Sequence, residues 1–327
     1  MMKEVRQKLG ETDSRIAAAL MASPRATWRT ISDALGIPER TVVRHASPLF
    51  GTRTLRSTAV RNPARFPDLV PMALRIRCEP KRISAIAATL ARRPDTIWVD
   101  VLGGGDEICA VLHIDGPDTR NRLLLRDLPA TNAVQSWTSH MLLKVFAAGF
   151  DWSGGLLSAT ELAALRADTP ATGAGPATFP VDDPLIVALI DGGRASYTEL
   201  ADRTGMSVAT VRRRVERLLA GQFLRLATEL DLAQLGIHTE ALLWINVSPG
   251  ALEETGERLS RHAQVRFAAA TTGPSNLLIA VAAADLTGLY DFLNSTIGAV
   301  DRVSAIDITP ILSSVKRTGL IRSDARP

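Results

Sequence analysis

The chain has 327 residues, 46% hydrophobic and 22% charged, with a formal charge of +4; this excludes a disordered or fibrous polypeptide and exceeds what one core usually holds. Its longest uninterrupted apolar run, Leu277 to Ala284, is far short of the roughly 20 residues that span a bilayer, so no membrane partner is expected and the compartment is expected to be the cytoplasm. So mild a charge permits nucleic-acid binding without demanding it, and the weight falls on where the arginines lie.

Residues 1–60 read as a helix-turn-helix domain. Asp13 precedes the apolar series Ile16, Ala19 and Leu20 of a supporting helix. Thr27 and Ile31 open the next helix, Gly36 ends it, and a further helix offers Arg40, Thr41, Arg44 and His45 to solvent. Pro48 lies inside that helix, where it removes a backbone donor and is expected to degrade it. Gly51, Arg53, Leu55 and Arg56 suggest a basic wing.

Residues 66–150 change period. A strand over 70–78 is followed by a helix over 81–92, a hairpin of 97–102 and 107–114 around Gly103, Gly104 and Gly105, a helix over 119–127 and a strand over 134–145. That order is the ferredoxin-like βαββαβ arrangement. Cys78 and Cys109 fall in its apolar strands and are expected to be buried reduced thiols. Residues 151–180 form a short helix with a Ser158/Glu161 capping box, then a Pro/Gly/Ala/Thr linker.

Residues 181–232 hold the second helix-turn-helix domain. Ser196 and Glu199 make a capping box, Gly205 ends the helix, and Ser207 caps the next. In that last helix Val208, Val211, Val215, Leu218 and Leu219 share one face at the 3.6 period, while Ala209, Thr210, Arg213 and Arg217 share the other, flanked by Arg212 and Arg214. A helix buried on one side and basic on the other suits the major groove, where arginine neutralises phosphates or forks onto guanine. Residues 238–318 repeat the βαββαβ order, and 319–327 form a tail.

A shift of 169 positions lays the first half on the second without a gap: Thr27 on Ser196, Gly36 on Gly205, Thr41 on Thr210, Arg44 on Arg213, Pro80 on Pro249 and Gly104 on Gly273. The expected fold class is therefore α+β, with two winged helix-turn-helix domains each followed by a ferredoxin-like domain.

The GMSVATVRRRVERL core within Asp182 to Leu224 and the TTGPSN hairpin, Thr271 to Asn276, resemble the Lrp/AsnC family of prokaryotic transcriptional regulators, here as two fused copies. The resemblance implies double-stranded DNA as partner, with Ser207, Thr210, Arg212, Arg213, Arg214 and Arg217, and Arg40, Thr41 and Arg44, as the contacting residues. It implies an amino-acid-like small-molecule effector near Gly103, Gly104, Gly105 and Asp106, and near Thr271, Thr272, Gly273, Pro274, Ser275 and Asn276. It also implies pairing of the two ferredoxin-like modules within one chain, and homo-oligomers built from these pseudo-dimers.

Two other readings stay open. One is a tetrapyrrole-processing enzyme resembling siroheme decarboxylase; the other is a ligand-binding scaffold that no longer binds DNA. The histidines His45, His113, His140, His238 and His262 do not recur at the 169 offset, and no nucleophile elbow, phosphate loop or metal-ligand spacing is present. No catalytic residue, metal or cofactor is expected.

Overall fold

The computed structural model describes residues 8–167 and 178–322; most of the predicted linker and the end of the tail lie outside the described residues. In chain order the elements are α1 (Glu11–Ala22), α2 (Trp28–Leu35), α3 (Glu39–Gly51), β1 (Arg56–Arg61), β2 (Leu69–Cys78), α4 (Ile83–Arg92), β3 (Thr96–Leu102), β4 (Glu107–Asp115), α5 (Gly116–Arg122) and β5 (Val134–Ala147). There follow α6 (Ala159–Arg166), α7 (Pro184–Asp191), α8 (Tyr197–Thr204), α9 (Val208–Ala220), β6 (Leu224–Glu229), β7 (Thr239–Val247), α10 (Leu252–Ser260), β8 (Val265–Thr271), β9 (Leu277–Ala283), α11 (Leu286–Asp291), β10 (Val303–Arg317) and β11 (Leu320–Ile321). The chain forms two compact units. One takes it up to Phe66 and from Phe150 to Gly236; the other takes Pro67–Gly149 and the chain from Ile237 onward.

The first unit is helical because its caps and turns are written locally. Ser196 accepts from the Glu199 amide at 3.1 Å and Glu199 Oε2 accepts from the Ser196 amide at 2.7 Å, closing the capping box of α8. Gly36 and Gly205 end α2 and α8 at φ 67° and 69°, the left-handed conformation glycine adopts without strain. Ser207 caps α9 by accepting from the Thr210 amide at 3.2 Å. The capping box at Ser158 and Glu161 is present as well, and α6 packs on the first helices, where Arg15 Nη2 meets Glu161 Oε1 at 2.5 Å.

Two sequence expectations are corrected. The predicted wing is absent: β1 pairs antiparallel with β6 across the halves, centred on Thr58↔Ala227, residues 169 apart, so each strand satisfies the other's backbone groups. Pro48, expected to degrade α3, is instead carried within it, and the helix runs on to Gly51. The hydrogen bond the proline forfeits would have gone to the carbonyl of Arg44, an exposed residue. Thr52 N, in turn, closes on the Pro48 carbonyl at 2.9 Å.

Around the ribbon the contacts come in pairs that obey the same offset. Arg25 Nη1 donates to the carbonyls of Gly193 and Ala195 at 3.0 and 2.9 Å and lies over the Tyr197 ring. Arg194 donates to the carbonyls of Pro24 and Ala26 at 2.7 and 2.9 Å and lies over the Trp28 ring, 4.1 Å from its centroid. Burial and the nearby Arg25 cation lower the Arg194 pKa to about 10. Gly193 makes the closest approach: its amide donates to the Ser57 carbonyl at 3.0 Å, and a Cβ there would fall 2.4 Å from the Thr58 carbonyl oxygen. Gly193→Ala is therefore expected to destabilise this unit by about 3 kcal/mol, read as a lower melting transition; an unchanged transition would show that the ribbon yields.

In the second unit hydrophobic residues alternate along the strands. Met72, Leu74 and Ile76 face the α4 side, while Ala73 faces an inner core with Leu242, Trp244, Phe267 and Leu278. Strand order is β3-β4-β2-β5 in one half and β8-β9-β7-β10 in the other, each the antiparallel order of a βαββαβ unit. The long strands β5 and β10 serve both. Each pairs first within its own half and then with the other, at Leu142↔Thr271 and Ile311↔Leu102, which closes the eight strands into a ring with β11 appended to β10. Closure leaves few open edges. Cys78 and Cys109 are free and buried, and burial raises the pKa of both thiols.

Candidate functional site

Two places concentrate chemistry, one in each unit. In the helical unit, Val211, Val215 and Leu218 bury one side of α9 and leave Ala209, Arg212, Arg213, Glu216 and Arg217 exposed. Arg212 lies 5.4 Å from the Tyr197 ring centroid and Arg217 5.8 Å from that of Phe179, so both stems are steered by aromatic faces. Arg213 has no hydrogen-bond or ion-pair partner among the described residues. Ser207 and Thr210 sit at the helix start, their hydroxyls 2.9 Å apart.

Arg214, grouped with these by sequence, is placed elsewhere. Its guanidinium meets Asp183, whose side chain is 4% exposed and also caps α7 by accepting from the Leu185 amide at 2.9 Å. The reason is helical phase: three residues after Val211 and one before Val215, Arg214 lies on the border of the buried stripe. At the equivalent position His45, read from sequence as facing solvent, is half-buried with Nδ1 2.8 Å from Asp13 Oδ1. In both halves an acid at the start of a neighbouring helix, α1 or α7, thus holds the helix that follows the glycine turn. On α3 Arg40 and Arg44 are exposed, as are Glu39 and Ser47, with Thr41 half-buried beside them.

In the strand-rich unit a cavity of about 290 Å³ is lined from β2, β4, β5, β7 and the hairpin between β8 and β9. Trp137, Trp244 and His140 give it aromatic walls, Arg75, Arg77 and Glu107 give it charge, and Ser136 and Thr138 add hydroxyls. Arg75 lies 5.3 Å from the Trp244 ring centroid, is hydrogen-bonded to Glu107, and reaches Asp307 Oδ2 at 2.7 Å. Burial alone would lower its pKa, but these two carboxylates outweigh burial and hold it above the ordinary arginine value. His140 Nδ1 donates to the Thr272 carbonyl at 2.8 Å, leaving Nε2 to accept from Thr138 Oγ1 at 3.3 Å. Burial, aided by the Arg75 cation, lowers the His140 pKa, so the ring is neutral at pH 7. The indole N–H of buried Trp244 has no partner among the described protein groups.

The predicted effector residues divide. Pro274 and Ser275 line the cavity. Thr272 and Asn276 fasten the hairpin: Thr272 Oγ1 accepts from the Met141 amide at 2.9 Å, and Asn276 bonds both the amide and the carbonyl of Val247. Thr271 Oγ1 donates to the Ser275 carbonyl. Gly273, at φ 105°, lets His140 sit where a Cβ would be 2.6 Å from Nδ1. In the first hairpin Gly103 N donates to the Pro310 carbonyl at 2.8 Å, Gly105 takes φ 72°, Asp106 O accepts from the Cys78 amide, and Gly104 leaves room beside Asp106. None of these four lines the cavity, although Glu107 beside them does. Arg75 and Glu107 were missed in the sequence; a charged residue between Leu74 and Ile76 in an apolar strand was the available signal.

Deeper in the same unit Glu240 meets Arg266 at 2.9 Å and Arg317 at 2.7 Å, and the two arginines overcome its burial to lower its pKa. Asp100 is 1% exposed, and burial raises its pKa from 3.8 to about 6. Because the folded value is the higher one, the associated stability is full below pH 4 and is lost as pH rises through about 6. Two pKa units correspond to about 3 kcal/mol. Asp100→Asn should thus be more stable than the parent at pH 7.5, with the advantage gone near pH 4; urea denaturation at both values checks this, and a less stable variant at pH 7.5 would refute it. No group of three or more metal-ligating side chains occurs among the described residues.

Comparison with known proteins gives these features relatives. Residues 181–219 match the AsnC-type helix-turn-helix domain and residues 240–321 the Lrp/AsnC ligand binding domain. An HTH-type transcriptional regulator of Pyrococcus furiosus is 29% identical over 143 residues, 43% of this chain and 96% of the relative. The Bkd operon transcriptional regulator of Pseudomonas aeruginosa is 29% identical over 147 residues, 41% of this chain and 91% of the relative. Over nearly the whole chain the fold is similar to that of the siroheme decarboxylase NirDL, solved in complex with an iron-uroporphyrin III analogue: TM-score 0.59, 12% identity, 94% of this chain and 93% of that one.

Proposed function

We propose that this chain is a sequence-specific DNA-binding transcriptional regulator of the Lrp/AsnC type, built as two fused copies that pair within one polypeptide and modulated by a small molecule such as an amino acid. The observation that carries the reading is α9, in the matched helix-turn-helix domain, which buries Val211, Val215 and Leu218 and presents Arg212, Arg213 and Arg217 to solvent, with Val208 at its first turn exposed rather than on the buried face. The paired contacts of Arg25 and Arg194 and the ring of β5–β8 and β10–β3 pairings support the fused pseudo-dimer. For the effector, a 290 Å³ cavity suits a molecule of amino-acid size. Glu107 can accept an ammonium, Arg77 can take a carboxylate, and the aromatic walls can hold a side chain.

The test is a titration of enriched DNA over a range of salt, with and without each amino acid. A salt-dependent affinity that one amino acid shifts several-fold supports the reading, and linkage requires DNA to shift that amino acid's affinity by the same factor. A second reading, a tetrapyrrole-processing enzyme, is favoured by the whole-chain likeness to the siroheme decarboxylase. Among this chain's histidines only His140 lines the cavity. A Soret band acquired on incubation with an iron tetrapyrrole, together with loss of a substrate carboxyl, would favour that reading over the first.

A further inference from the structure

We infer that the DNA site of this chain is a pair of unequal half-sites sharing one central contact and differing around it, so that a single polypeptide reads a directional operator. The inference rests on the DNA-binding reading and adds which positions of the two heads agree and which do not.

A reader made of two identical chains is bound by its symmetry, because equivalent side chains face equivalent bases and the site must be palindromic. Fusing the copies removes that restriction while the geometry can keep it. Here the ribbon β1–β6 is centred on Thr58↔Ala227, and Arg25 and Arg194 make the same contacts at positions 169 apart. Residues of α3 and α9 related by that offset are therefore presented alike.

Compared position by position, the two exposed faces agree only in part. Thr41 and Thr210 coincide, as do Arg44 and Arg213, both exposed arginines. One turn either side, the chemistry diverges. Arg40 stands where the other head has Ala209; Val43 stands for Arg212, and Pro48 for Arg217. All six of these side chains are exposed, so none of the differences is a core adjustment. The first head is also an ordered reader rather than a relic: α3 continues through Pro48, and the Asp13–His45 contact holds it as Asp183–Arg214 holds α9.

An arginine forked onto guanine gives the same base preference wherever it is presented in the same way. Arg44 and Arg213 therefore specify the shared base pair. Arg40 adds a contact on the N-terminal side of the first helix only, and Arg212 and Arg217 add contacts on the second only, so the flanks differ in sequence, in phosphate contacts, or in both.

The experiment is selection from a randomised duplex library with the full chain, its Arg44→Ala and Arg213→Ala variants, and a graft placing the exposed residues of α9 on α3: Glu39→Val, Arg40→Ala, Val43→Arg, Ser47→Glu and Pro48→Arg. The wild-type chain should select two half-sites with one base pair in common and unlike flanks. Arg44→Ala should flatten the preference in one half and Arg213→Ala in the other, each lowering affinity about 10- to 100-fold. The graft should turn the selected sequence into a palindrome. Both single variants alter exposed side chains, so their melting transitions should match the parent's, and they decide the matter even if the graft fails to fold. A palindrome selected by the wild-type chain, or a preference that responds to Arg213→Ala alone, would overturn the inference and leave the regulator reading standing. Recovery of no preferred sequence by any of them would sink both.

Discussion

Alanine at both Arg213 and Arg217 should lower affinity for the selected DNA by about 100-fold or more and make the dependence of log K on log salt shallower by about one to two units. Each well-placed arginine contributes roughly 1–3 kcal/mol at a base, or one released counterion at a phosphate. Both side chains are exposed on the outer face of α9, so the fold should be untouched. Arg214→Ala is the informative control. It strands the Asp183 carboxylate, 4% exposed, without its cation, and should cost about 2–4 kcal/mol of stability. Its effect on DNA would then follow unfolding rather than lost contact. If the double variant binds as the parent does, α9 is not the reading helix.

The second large effect is expected at the cavity. Arg75→Ala should destabilise the strand-rich unit by about 2–4 kcal/mol, because it leaves the Glu107 carboxylate, 7% exposed, with only the exposed Arg77 guanidinium 4.0 Å away. Asp307, half exposed, should contribute little to that loss. Adding Glu107→Gln to Arg75→Ala should recover much of the deficit, since the stranded charge is then gone. Denaturant unfolding of the parent, the two single variants and the double variant gives the coupling directly. A coupling energy near zero would mean that the pair is solvated and that the cavity is not braced by it.

These two sites were unequally legible in the sequence. The α9 face was readable because its information is local: Val211, Val215 and Leu218 repeat at the helical period, and Ser207 marks the start. What local pattern could not supply was the partner of Arg214, since Asp183 lies 31 residues away and its choice over DNA depends on how α7 packs. The βαββαβ order was readable from alternating periods and the pairing of the halves followed from the family resemblance, but which strands join them, and in what register, was not readable. Leu142↔Thr271 and Ile311↔Leu102 link residues more than a hundred positions apart, where strand patterning carries no register. The same distance hid the cavity, which brings Arg75 of β2 beside Trp244 of β7. Pro48 shows the converse: a rule that holds in a helix interior lost force where the forfeited bond lies on an exposed face.

The measurement that tests the account most directly is selection of genomic fragments by the purified wild-type chain at physiological salt, followed by titration of the enriched sequence. A sequence-specific regulator should recover a recurrent motif bound at roughly 10⁻⁸ to 10⁻¹¹ M, the range of specific protein–DNA complexes. Fragments recovered without a common motif, held only by weak binding that salt abolishes, would contradict the account.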